Sequence, residues 1–134
     1  MSGSRLKTVR QMVAEARERI QSLSVEEVAS EIEGGDALLV DLREDDERFL
    51  EGAIPGSVRV PRGIIELSAD PTGPLYRREF DSKGRVIVYC SSGSRSALAA
   101  DTLQGMGYED VAHLEGGMMA WKQDKGPVEE VSFG

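Results

Sequence analysis

The chain contains a single cysteine, Cys90, and the residues that follow it, Ser91-Ser92-Gly93-Ser94-Arg95-Ser96, are small and polar except for one cation. Cys90 closes the run Arg85-Val86-Ile87-Val88-Tyr89, which reads as a buried strand, and a helical stretch from about Arg95 to Met106 follows the loop. A strand end, a tight loop and a helix N-terminus gather several backbone N–H groups around one point. Such donors stabilise an anion, so the Cys90 sulfur is held toward its nucleophilic thiolate form, and Arg95 adds fixed positive charge in the same loop. Gly93 lets the backbone curl without a Cβ clash, and the serines keep the cradle small. A cysteine without such surroundings is ordinarily a small buried hydrophobe; this setting points instead to nucleophilic sulfur chemistry.

The elements that must position this loop are legible on either side of it. Residues 1–22 read as an N-terminal amphipathic helical extension, because Leu6, Val9, Val13, Ala16, Ile20 and Leu23 draw one stripe down a helix. That stripe suits packing on the chain's own domain, with pairing to a second copy as the alternative and binding at a membrane surface weaker, for lack of an aromatic anchor. The domain proper spans residues 23–127. Ser24-Val25-Glu26-Glu27 forms a capping box, with Leu23 and Val28 as a hydrophobic staple, and starts a helix that ends near Gly34-Gly35. Ala37-Leu38-Leu39-Val40 reads as a buried strand that delivers Asp41, Leu42 and Arg43 at its carboxyl end. Glu44 to Glu51 follows as a short helix, its acidic start most simply a solvated one that suits the helix dipole. A second strand lies near Val58-Arg59-Val60, and a helical turn covers Arg62 to Leu67. Residues 69–84 show no period and read as a long crossover that flanks a site. Val111-Ala112-His113-Leu114 is a further strand, Gly116-Gly117 turns the chain, and Met118 to Lys122 begins a last helix. Residues 128–134 read as a loose C-terminal tail. Alternating strands and helices predict an α/β domain with a mainly parallel sheet of about five strands and its site at the carboxyl ends of those strands.

Composition narrows the function. With 134 residues, 40% apolar and 30% charged, the chain is one ordinary domain. A net charge of −8 disfavours a nucleic-acid partner, no apolar run is long enough to span a membrane, and the first residues lack the apolar core of a secretory signal, which makes the cytoplasm the expected location. One cysteine and one histidine exclude a disulfide framework and make a Cys/His metal centre implausible, so no metal and no cofactor are expected.

Four stretches together resemble the single-domain rhodanese-like sulfurtransferases over roughly Ser24 to Pro127: Val40-Asp41-Leu42-Arg43-Glu44, Phe49-Leu50-Glu51-Gly52-Ala53-Ile54-Pro55-Gly56-Ser57, Tyr89 to Ser96, and Leu114-Glu115-Gly116-Gly117 with Trp121. The resemblance implies a three-layer rhodanese-like fold. It also implies that Cys90 attacks the outer sulfur of a donor such as thiosulfate, holds it as a persulfide and passes it to a thiol acceptor, a thioredoxin-like protein among them. In that family the counterparts of Asp41 and Arg43 brace the active-site loop. Ser91, Ser92, Gly93, Ser94, Arg95 and Ser96 would form the anion loop, with Arg95 orienting the donor's anionic end. As Arg95 is the loop's single basic side chain, a protein persulfide is a better expected donor than free thiosulfate, a small dianion. The family's Gly-His-Ile-Pro-Gly reads Gly52-Ala53-Ile54-Pro55-Gly56 here, and Arg48 replaces a customary acidic residue, so no histidine role carries over at Ala53.

Two rival readings stand beside this one. A non-catalytic interaction module is disfavoured by the retention of Cys90, Gly93 and Arg95. Phosphatase or arsenate-reductase chemistry is disfavoured because protein tyrosine phosphatases place a longer run between cysteine and arginine than the four residues Ser91 to Ser94, and no convincing general acid is in sight. Glu51 and Arg62 are weaker candidates for the site rim. His113 reads as a structural or surface histidine inside a strand, and Trp121 as core.

Overall fold

The computed structural model describes residues 6–82 and 84–132. Helix α1 (Val9–Arg19) opens behind a capping box in which Thr8 and Gln11 bond each other's backbone N–H, and at Ile20 the chain turns extended into strand β1 (Gln21–Leu23). A second capping box, Ser24 with Glu27, starts helix α2 (Val25–Gly34), which stops at the left-handed Gly35. Strand β2 (Ala37–Asp41), helix α3 (Asp45–Glu51) and the two-residue strand β3 (Val58–Arg59) follow. A 3-10 turn (Arg62–Ile64) leads into the single turns α4 (Ile65–Ser68) and α5 (Glu79–Ser82). The chain closes with strand β4 (Arg85–Tyr89), helix α6 (Ser94–Gly105), strand β5 (Asp110–Leu114) and helix α7 (Gly117–Gln123).

All five strands pair in parallel in the order β1-β5-β4-β2-β3. A parallel sheet needs both faces covered, and the alternation along β4 shows how that is met. Val86, Val88 and Cys90 face a core with Leu38, Val40 and Val111 from the sheet and Ala99, Ala100 and Leu103 from α6. Ile87 and Tyr89 face the opposite core, with Leu23, Leu39 and Leu114 beneath Val28 of α2 and Met118 and Trp121 of α7. The expected three-layer α/β architecture is present, and because β4 and β2 lie at the middle of the sheet, their carboxyl ends form a fixed platform.

The ends of the chain are more integrated than the sequence suggested. The division drawn after Ser22 falls inside β1, which pairs Gln21, Ser22 and Leu23 with Ala112, His113 and Leu114 of β5. Leu23 therefore belongs to a strand, not to the helical stripe. Three residues containing one large hydrophobe carry no readable period; the ladder of β5 supplies the hydrogen bonds that make them a strand. The stripe itself docks α1 on α6, where Val13 and Ala16 pack against Ala97, while Leu6 and Val9 stay exposed. At the other end Glu129 is tied down: its N–H and C=O both bond Ala53, each at 2.9 Å. The crossover over 69–84 holds the turn α5, whose Phe80 is buried beside Tyr108.

Candidate active site

Cys90 leaves β4 at the middle of the sheet and is 1% exposed. Its Sγ accepts the N–H of Gly93 at 3.2 Å and the N–H of Ser96 at 3.4 Å, and the Ser96 hydroxyl lies 3.6 Å away. Two amides converging on one sulfur stabilise negative charge there, which is the arrangement the loop's composition anticipates. Gly93 makes the turn possible: it sits at φ 108° before the first residue of α6. Ser91 and Ser94 are half-buried along the loop and Ser92 is exposed.

The back of the loop is clamped by the start of α7. Met118 N–H donates to the Cys90 carbonyl at 2.8 Å and Met119 N–H to the Ser91 carbonyl at 3.0 Å. Gly117 lies so close that a Cβ there would stand 2.4 Å from the Cys90 carbonyl oxygen, at a φ of 58°. This contact explains why α7 opens on a glycine.

Arg95 is placed differently from expectation. Instead of standing free for a donor, its two terminal nitrogens donate to Glu47 of α3 at 2.9 and 2.8 Å. Glu47 also accepts the Glu44 N–H at 2.9 Å, capping its own helix. The Arg95 hydrogen bonds hold the Glu47 carboxyl down at about 2. The acidic helix start is thus more than a solvated one, since one of its carboxylates neutralises the loop's only cation.

Asp41 and Arg43 are fully buried and meet in a fork, with Arg43 Nε and Nη2 donating to Asp41 at 3.0 and 2.9 Å. Arg43 also donates to the Gly52 carbonyl at 2.7 Å, and its guanidinium stands over the Tyr89 ring. Asp41 accepts further bonds from Arg48 at 3.1 Å and from the Tyr89 hydroxyl at 2.7 Å, while that hydroxyl takes the Ile54 N–H at 3.1 Å. Burial and the adjacent Asp41 charge push the Tyr89 phenol well above its ordinary range, so it stays a donor. Among the described residues no hydrogen bond of this network reaches Ser91 to Ser96. It fixes Tyr89, the residue before Cys90, and, through Arg48 and Gly52, holds the helix α3 from which Glu47 reaches Arg95. Arg48, read from sequence as a departure, is a working member of it. Glu51 lies at its edge, 3.6 Å from Arg43, and Arg62 pairs with Glu66 outside it.

His113 is fully buried, and not as an inert filler of β5. Its Nδ1 lies 2.9 Å from Ser96 Oγ, and its Nε2 lies 3.0 Å from Ser22 Oγ and 3.3 Å from Glu115. Arg17 of α1 grips Glu115 through two bonds of 3.1 and 2.7 Å. Nothing in the spacing of Arg17, Ser22, Ser96, His113 and Glu115 announces this cluster, because β1 and α1 bring its outer members from far along the chain. Trp121 is core, with its Nε1 donating to the Pro127 carbonyl at 2.7 Å. Among the described residues no three His, Cys, Asp or Glu side chains gather closely enough to hold a metal, and no helix is long and apolar enough to cross a membrane.

Comparison with known proteins identifies a family. The family description "Rhodanese-like domain" matches residues 24–124. A sulfurtransferase of Allochromatium vinosum is 34% identical over 93 residues, 69% of this chain and 78% of that protein. A putative sulfurtransferase of Bacillus subtilis is 33% identical over 109 residues, 81% of this chain and 96% of its own length. Among solved structures, a Rhodopseudomonas palustris protein described as of unknown function and a possible tyrosine phosphatase superposes with a TM-score of 0.89 at 37% identity, covering 96% of this chain and 99% of that one.

Proposed function

The chain belongs to the rhodanese-like domain family, and from that premise we propose that it is a sulfurtransferase carrying sulfane sulfur as a persulfide on Cys90. The observation that carries the reading is the Cys90 sulfur at a central strand end with the Gly93 and Ser96 amides aimed at it. In the first half-reaction the Cys90 thiolate attacks the terminal sulfur of a donor. The donor's S–S bond breaks, the leaving group (sulfite or a thiolate) departs with the electron pair, and a Cys90 persulfide anion forms. In the second, an acceptor thiolate attacks the outer sulfur and Cys90 is released as thiolate. The amides serve both halves because each leaves charge on sulfur inside the loop. No cofactor is required.

The Glu47–Arg95 pair supports a donor preference. With its cation neutralised, the loop offers a small dianion little beyond backbone dipoles. We therefore place thiosulfate below a protein or small-molecule persulfide as donor, with a thiol, such as that of a thioredoxin-like protein, as acceptor. A reducing compartment such as the cytoplasm supplies such thiols and keeps Cys90 reduced. Phosphatase chemistry is disfavoured by the same pair, since the arginine that would grip a phosphoryl group is already bound. Steady-state transfer from thiosulfate and from a small-molecule persulfide, run with Cys90→Ser alongside, tests the reading. Turnover with the persulfide donor, abolished in the variant, is expected; turnover that survives Cys90→Ser overturns it.

A further inference from the structure

Resting on the reading of Cys90 as nucleophile, we propose that His113 receives the Cys90 thiol proton through the Ser96 hydroxyl and is held in the accepting tautomer by Glu115, Arg17 and Ser22. His113 and its three outer partners are then positioning residues that prepare the nucleophile.

The contacts fix the direction of the relay. A neutral imidazole carries one N–H, and which nitrogen bears it is decided by the partners. At Nε2 stands the Glu115 carboxylate, 3.3 Å away, which only accepts, beside the Ser22 hydroxyl at 3.0 Å. The N–H therefore belongs on Nε2, leaving the Nδ1 lone pair to accept from Ser96 Oγ at 2.9 Å. Ser96 has one proton and two acceptors in reach, and His113 is nearer than the Gly93 carbonyl at 3.2 Å. With its proton aimed at His113, Ser96 Oγ turns a lone pair to Cys90 Sγ at 3.6 Å. The two amides at Sγ are donors, so the hydroxyl oxygen is the partner left for the S–H.

The transfer balances within the protein. The Cys90 S–H bond breaks as an O–H bond forms at Ser96, while the former Ser96 O–H breaks and an N–H forms at His113 Nδ1. The products are the thiolate, under the Gly93 and Ser96 amides, and an imidazolium beside Glu115. The charged groups facing His113 are Glu115 at the end of β5 and Arg17 from α1. Burial holds the imidazole below its ordinary range; Glu115 counters this and Arg17 adds to it. Burial therefore works against the imidazolium, and the Glu115 carboxylate beside Nε2 is the charge that offsets it. Arg17 and Glu115 are partly exposed, with side chains 40% and 43% accessible, so the far end of the relay meets solvent.

A buried ring has a cost that an aliphatic residue would avoid. His113 lies on the α6-facing side of β5, two residues from Val111, and a polar ring there must be bonded to be tolerated. Arg17 and Ser22, which complete the network, lie before the segment 24–124 matched by the family. The N-terminal helix and β1 thus bring this chain's own residues to the family's site.

The test is the rate of Cys90 alkylation by iodoacetamide, followed by intact mass on the full chain between about pH 6 and pH 10. His113→Gln and Ser96→Ala are each expected to slow alkylation about tenfold at neutral pH and to converge on the unmodified protein at the alkaline end, where hydroxide removes the proton. The double variant should lose no more than either single one, because both interrupt one path. Should His113→Gln fail to fold, Ser96→Ala, which removes only a hydroxyl, decides the matter. Profiles that superpose on the unmodified protein, or fall by the same factor at every pH, overturn the relay. Alkylation uses no sulfur donor, so failure here is distinct from failure of the sulfurtransferase reading.

Discussion

Side chains at this site act mostly on one another, and their pairing sets what the loop can bind. Arg95 is the clearest case: its type and position in the sequence suggested an anion clamp, yet its partner Glu47, 48 residues earlier, takes it. Glu47→Gln should release the guanidinium and lower KM for thiosulfate about two- to fivefold, the scale of a partly exposed ion pair. An unchanged or raised KM would show that the pair does not restrain donor choice. The Asp41–Arg43 fork is a different case, because both side chains are wholly out of solvent. Asp41→Ala leaves the buried Arg43 guanidinium without its carboxylate and takes an acceptor from the Tyr89 hydroxyl, so unfolding in urea should show a loss of about 3–5 kcal/mol. A loss under about 1 kcal/mol, the scale of an exposed pair, would contradict the structural role assigned to it.

At the scale of elements, the sequence was most informative where a strand or helix carries its own signal. Arg85 to Tyr89 with its small-residue loop, the Ser24 capping box and the run Ala37 to Val40 each declare themselves locally, and they delivered both the fold and the loop around Cys90. What stayed hidden depends on distant pairing. β1 is a strand because β5 offers it a ladder, and His113 joins the site because α6 brings Ser96 to it. Gly116-Gly117 was legible as a turn, but not the clamp that the Met118 N–H makes on the Cys90 carbonyl. That clamp makes a sharp prediction, since a Cβ at Gly117 would meet that oxygen at 2.4 Å. Gly117→Ala should destabilise the fold by more than about 2 kcal/mol and reduce sulfur transfer. Near-normal melting and turnover would mean that the loop is not held from behind by α7.

Viewed whole, the molecule is an acidic α/β domain, with a net charge of −8, whose N-terminal helix is bound to its own α6. Val13 and Ala16 are used in that contact, and Arg19 reinforces it with a bidentate pair to Asp101 at 2.8 and 2.7 Å. Val13→Asp should therefore lower Tm by about 5 °C or more at every protein concentration. If α1 instead joined two copies, the loss would depend on concentration and the elution volume would change with it. The same helix carries Arg17 to Glu115, the residue that follows β5.

The proposed function stands or falls with sulfur carried on Cys90. Intact-mass spectrometry after incubation with a small-molecule persulfide, repeated with Cys90→Ser and after addition of a reducing thiol, tests it most directly. A gain of one sulfur atom is expected, absent in the variant and removed by the thiol. A gain that persists in Cys90→Ser, or no gain from either a persulfide donor or thiosulfate, would contradict it.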